Sequence, residues 1–206
     1  GVDEPYVCPN NMREPFRPPM AAPSSAVGLV YSELDRSHCL VDGLGRPKEH
    51  CEKPERTQVA WERLEKSGLV QRCERVSSRE SSREEALRCH TCEHVDALDE
   101  LEHATPRQVG GWFGKVAAAA RPLGEASSGW AKVGSDMYHT SATSRAARLA
   151  AGGVLALTER VCTGSLRSGF ALVRPPGHHA CSDRMCGFCF LNSAAMACRA
   201  ATDVHG

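Results

Sequence analysis

Two consecutive prolines, Pro175 and Pro176, close a compact apolar run from Phe170 to Val173. Proline has no amide hydrogen to give to a ladder. The run therefore reads as a buried strand that stops there and delivers the next segment to an edge of a sheet. Ahead of it stands the clearest helix in the chain. From Ser141 to about Val161, Ala147, Ala150, Ala151, Val154 and Val161 recur at helical spacing, Arg145 and Arg148 turn elsewhere, and Thr163 with Gly164 ends the element. Asn192 to Ala201 reads as a further helix. This alternation restricts the chain to layered architectures in which helices cross over a sheet.

The first half adds the matching pieces. Ala26 to Tyr31, with β-branched Val27 and Val30, suits a buried strand. Arg56 to Ser67 is predicted helical with Val59, Ala60, Trp61 and Leu64 on one side, and Gly68 stands where a left-handed cap is wanted. Cys73 to Val76 reads as a short strand. Ser82 followed by Glu85 is a capping box opening a helix into Leu87. The fold class is α/β with a mostly parallel sheet, and such sheets place ligand sites beyond the carboxyl ends of their strands. The segment from Arg174 to Phe190 sits at such an end. The proline-rich residues 1–25 read as a flexible leader, and Leu101 to Gly134, rich in Ala, Gly and Pro with Trp112 and Trp130 isolated, as an insertion or long loop.

Composition narrows the function classes. At 206 residues, 41% of them hydrophobic and 24% charged, the chain suits one soluble domain or a piece of one. Lys and Arg number 25 and so do Asp and Glu, which gives no net field to draw the chain onto nucleic acid or an anionic membrane. Its apolar runs fall well below the about 20 residues of a spanning helix, and no secretory pattern opens the chain, so an intracellular place is expected. Eleven cysteines, odd in number and scattered, read as reduced thiols and not as a disulfide framework. The first residue is Gly1 and not a methionine, so the sequence is expected to begin inside a longer reading frame or after processing.

Residues 174–192 read RPPGHHACSDRMCGFCFLN. Adjacent His178 and His179 behind a rigid Pro-Pro-Gly turn can offer one ring as a proton acceptor near neutral pH and the other as a donor. The same window supports two rival readings. His178, His179, Cys181, Cys186 and Cys189 are possible metal ligands, and Cys186/Cys189 and Cys89/Cys92 both have C-x-x-C spacing, which allows a structural zinc module. CGFC is also similar to a redox dithiol, although that chemistry expects the pair at a helix N-terminus.

RPPGHHA followed by GFCFLN resembles the signature of the histone deacetylase family, its class II branch in particular. The resemblance extends to Ala26–Tyr31 as a first strand, to EHCEKPER over Glu49 to Arg56, and to Ala146–Gly152 with Thr163-Gly164 as the helix and turn that lead to the histidines. It implies a partial arginase/deacetylase-type three-layer domain over residues 26–206, its C-terminal part missing, with a narrow channel for an acyl-lysine. The implied activity is zinc-dependent hydrolysis of acetyl-lysine amides in a histone tail or other protein, with no direct nucleic-acid or membrane partner, in nucleus or cytoplasm. His178 and His179 match the tandem histidines that take and return protons, and Gly187 with Phe188 matches the channel wall.

Zinc is expected for the complete family enzyme, while no metal ligand is assigned here. Asp203, Val204 and His205 spell a D-x-H triplet, but the family places a helix and a full strand ahead of that triplet, and two ligands without a third seldom hold zinc. Asp136 falls where an acidic rim residue stands and is left out of the site. The chain alone is expected to be inactive. The alternatives are a non-catalytic truncated product and the small Cys/His zinc-binding interaction module.

Overall fold

The computed structural model describes residues 24–40, 46–47, 49–102 and 137–205. Most of the expected leader and of the 101–134 stretch, with Trp112, Trp130 and Asp136, lies outside these residues. Among the described residues the elements are β1 (Val27–Tyr31), α1 (Glu55–Lys66), β2 (Glu74–Arg75), α2 (Arg83–Leu87), α3 (Cys92–Glu100), α4 (Thr143–Cys162), β3 (Ser168–Leu172) and α5 (Ser193–His205), with single 3-10 turns at Glu33–Ser37 and Val70–Arg72.

The three strands form one sheet in the order β2-β1-β3, with both pairings parallel. Val27 is opposite Ser168 and Tyr31 opposite Leu172, while Gly28 meets Glu74 on the other side. Parallel neighbours need long crossovers, and helices occupy them here, as expected for an α/β domain. Trp61 of α1 stacks on Tyr31 with ring centroids 4.5 Å apart, and Arg75 lies over the same indole at 4.4 Å. Side chains alternate along a strand, so Val30 turns the other way. There it packs with Val76, Leu157 of α4 and Leu166. The sheet thus has a helix on each face.

Most of the core lies beyond α4, where Ala147, Ala151 and Leu155 meet Leu98, Leu101, Phe190 and Met196. Leu98 and Leu101 are fully buried, each burial contributing about 1.5–3 kcal/mol. Gly152 permits a close crossing, because a Cβ there would strike the backbone of Arg79 and Ser81. Ser81 N donates to the Arg148 carbonyl at 2.9 Å, and the Arg148 guanidinium donates to Ser81 O at 3.3 Å and also pairs with Asp99 of α3.

The local signals resolve as expected at several places. Ser82 accepts from Glu85 N at 3.2 Å while the Glu85 carboxylate accepts from Ser82 N at 2.7 Å, completing the capping box. Gly68 and Gly164 carry φ of 70° and 75° beyond α1 and α4.

Two expectations are corrected. Val59 is 63% exposed and Thr57 is the buried residue of α1, because that helix touches a narrow sheet chiefly through Trp61. β3 is not a buried strand: Ser168 to Phe170 are exposed, Phe170 by 54%, since β1 is its one sheet neighbour among the described residues.

Candidate active site

β3 ends at Leu172, and the histidine segment follows directly at its carboxyl end. The turn that carries the histidines has its backbone bonded at each step. Gly177 O accepts from Ala194 N at 3.0 Å, in the first turn of α5. His178 N and His179 N both donate to the Cys189 sulfur at 3.4 Å. Ala180 O accepts from Asn192 Nδ2 at 2.8 Å. The imidazoles themselves are exposed, with ring centroids 4.1 Å apart and planes tilted by 53°. Backbone fixed and rings open to an incoming group is an arrangement suited to proton exchange at the ring nitrogens.

Cys186 and Cys189 face each other across a two-residue hairpin. Cys186 N donates to Cys189 O at 3.1 Å, and Cys189 N returns a bond of 2.9 Å. The two residues at its tip, Gly187 and Phe188, have φ of 54° and 68°, the positive pair that such a short hairpin requires. Glycine adopts this freely. Phenylalanine does so at a cost of about 1–2 kcal/mol, and conformational strain of that kind concentrates at functional sites. The tip packs on the site, since a Cβ at Gly187 would come within 2.9 Å of the His179 ring. Phe188 meets the His50 ring edge-on at 5.5 Å. The hairpin thus joins the channel-wall candidates, Gly187 and Phe188, to the histidine pair.

The dithiol geometry expected for redox chemistry is absent at this pair, which spans a hairpin and not a helix N-terminus. Burial, then neighbouring Cys181, pushes the Cys186 thiol above its ordinary range. Cys189 is fully buried, and its sulfur serves as a hydrogen-bond acceptor.

Two buried groups that sequence reasoning missed stand behind this surface. Arg174, 2% exposed, forks onto Glu52, 1% exposed: Nε reaches Oε1 at 2.8 Å and Nη2 reaches Oε2 at 2.7 Å. Arg174 Nη2 also donates to the Tyr138 hydroxyl at 2.9 Å. His38 stacks on Tyr138 at 4.5 Å and bonds to Thr143 Oγ1 through Nδ1 at 2.9 Å. Burial, then the Arg174 charge, brings His38 down to about 3, so it is neutral. Burial, reinforced by Glu52, pushes Tyr138 above its usual range.

The second group is His90 and His94. His94 Nε2 donates to Phe190 O at 2.7 Å, and Asn192 N donates to His90 Nε2 at 3.0 Å. His94 lies in the first turn of α3, while His90 stands in the bend just ahead of its Thr91 cap, and the sequence reading did not single out this close pair.

A sequence profile described as the histone deacetylase domain matches residues 50–206. The chain belongs to the histone deacetylase family. It is 36% identical over 179 residues to human histone deacetylase 9, covering 84% of this chain and 17% of that protein. It is likewise 34% identical over 171 residues to histone deacetylase 5 of Arabidopsis thaliana, covering 83% and 23%. Human polyamine deacetylase HDAC10 is 36% identical over 179 residues, covering 86% and 24%. The crystal structure of the HDA15 HD domain superposes with a TM-score of 0.68 at 32% identity, covering 87% of this chain and 44% of that one. The chain spans about a fifth of the length of the curated relatives.

These matches establish the deacetylase-type fold and the hydrolase family. The zinc site does not follow from the described residues. Among them no three His, Cys, Asp or Glu side chains are grouped to hold a metal, and Asp203 lies on α5 in an ion pair with Arg199. No described helix is long and apolar enough to cross a membrane.

Proposed function

We propose that this chain is the histidine-bearing part of a zinc-dependent deacetylase that hydrolyses acetyl-lysine amides in histones or other proteins, in nucleus or cytoplasm, and that the 206 residues alone are inactive. The observation that carries the reading is the Cys189 sulfur, which binds the amides of both His178 and His179 and thereby locks the pair beside the Gly187-Phe188 tip. An acyl-lysine stem laid along Phe188 sheds water from its methylenes, and the ring offers them a flat apolar wall. His178 and His179 then take the proton of the attacking water and return one to the departing amine. Zinc is the cofactor of the reading. The described residues supply no set of ligands for it, so no step is assigned to the metal here.

The test is hydrolysis of a fluorogenic acetyl-lysine peptide, by the 206-residue chain and by the protein expressed from its full transcript. Zinc-dependent turnover is expected from the latter, with a loss of at least about 100-fold in His178→Ala, and none from the former. Turnover that persists with both histidines replaced by alanine sinks the reading.

A further inference from the structure

We propose that Glu52 is a positioning residue that sets the distance between the histidine pair and the Phe188 ring, a role that rests on the deacetylase reading of those groups. Its two halves reach opposite sides of the site. The side chain holds Arg174, at the root of the histidine turn, through two parallel hydrogen bonds whose planar fork fixes both position and tilt. The main chain holds His50, whose Nδ1 lies 3.0 Å from Glu52 N and 3.1 Å from Glu52 O, so in either tautomer the ring is bonded to Glu52. That ring in turn meets Phe188 at 5.5 Å and Tyr138 at 4.9 Å.

A fully buried ion pair is a poor way to stabilise a core, because desolvation of both charges opposes their attraction and apolar residues of similar size do as well. What such a pair supplies is a defined geometry. Here the pair fixes the segment just before Pro175 and Pro176, and the turn beyond those prolines has little freedom of its own. Tyr138 closes the arrangement, with its oxygen 3.1 Å from Glu52 Oε2 and 2.9 Å from Arg174 Nη2. One residue thus spans from the root of the proton-handling pair to the wall that faces the acyl chain.

The test reads positions and not turnover, so its failure is separable from failure of the deacetylase reading. The imidazole Hε1 resonances of His178 and His179 and the ring resonances of Phe188 are recorded by NMR in the 206-residue chain. They are compared in Glu52→Gln, Tyr138→Phe and, as a remote control, Arg145→Ala, which removes only a surface pair with Glu80. Thermal melts are run alongside. In Glu52→Gln all three residues are expected to shift by more than their linewidths while the chain keeps a cooperative melt, with smaller shifts of the same residues in Tyr138→Phe and none in Arg145→Ala. If Glu52→Gln does not fold, Tyr138→Phe decides. Unmoved resonances in a folded variant overturn the proposal, as do equal shifts in the control. Loss of the fold in both network variants also overturns it, since the network would then hold the domain and not the site.

Discussion

His90 and His94 stack with ring centroids 4.4 Å apart and planes 14° off parallel, both buried, against the carboxyl end of the GFCFLN segment. Burial, then the neighbouring His94, pushes His90 from 6.5 down to about 4, and burial lowers His94 as well. The unfolded chain therefore takes up protons that the native chain refuses, and the native state loses free energy as pH falls from about 6.5 towards 4. Protonation of His90 Nε2 also removes its bond from Asn192 N. Thermal midpoints are expected to be flat above pH 7 and to fall steeply below 6.5, with a shallower fall in His90→Gln. Constant midpoints from pH 7 down to 4.5 would contradict the burial of these rings.

Two glycines with positive φ predict different outcomes. Gly68→Ala meets nothing within 4 Å and should lose only the about 1 kcal/mol of a left-handed alanine. Gly187→Ala adds a clash with the His179 ring. Denaturant titration should show a larger loss for the second, and His179 resonances should move in it alone.

The Cys189 sulfur predicts a length dependence. Alanine leaves the amides of His178 and His179 without their acceptor, a loss of about 1–3 kcal/mol, and serine, with its shorter reach, should restore only part of it. Hydrogen exchange at those two amides is the measurement. Exchange in Cys189→Ala as slow as in the parent would show that the sulfur holds nothing.

Phe188 should trade stability against binding. Phe188→Gly removes left-handed strain of about 1–2 kcal/mol, so the melt should change little despite the lost His50 contact, while binding of an acyl-lysine peptide to the full-transcript protein weakens. A severe loss of stability would mean the ring serves the core instead.

The β3 edge carries Phe170, 54% exposed, on a strand whose outer side is unpaired among the described residues. Such edges recruit other chains. Phe170→Lys is expected to reduce self-association of the 206-residue chain in sedimentation, with the melt unchanged.

What the sequence disclosed and what it hid have a common cause. Ser82 with Glu85, the Ala147–Val161 spacing and the proline stop act over one or two turns of chain, and each was legible. Within EHCEKPER, Glu52 is one charge among several. Its partners stand 122 and 86 positions away, and no local pattern reports a pairing across that separation. Val59 failed for the converse reason: periodicity showed an apolar side of α1 but not how little sheet there was to cover it. At the site, the paired histidines were visible as residue types. Cys189 was weighed for redox and metal chemistry, whereas its observed bonds run to the backbone, from the amides of His178 and His179 and to the Gly187 carbonyl.

The register of β1 with β3 has a consequence for how the domain comes into being. A ribosome releases Val27 to Tyr31 long before their partners Ser168 to Leu172 exist, and the central strand must wait with one flank unsealed while the intervening helices emerge. Contacts this distant in sequence make for slow assembly. The two imidazoles can take their places only once β3 has docked on β1, so this site is assembled well after its first strand has emerged.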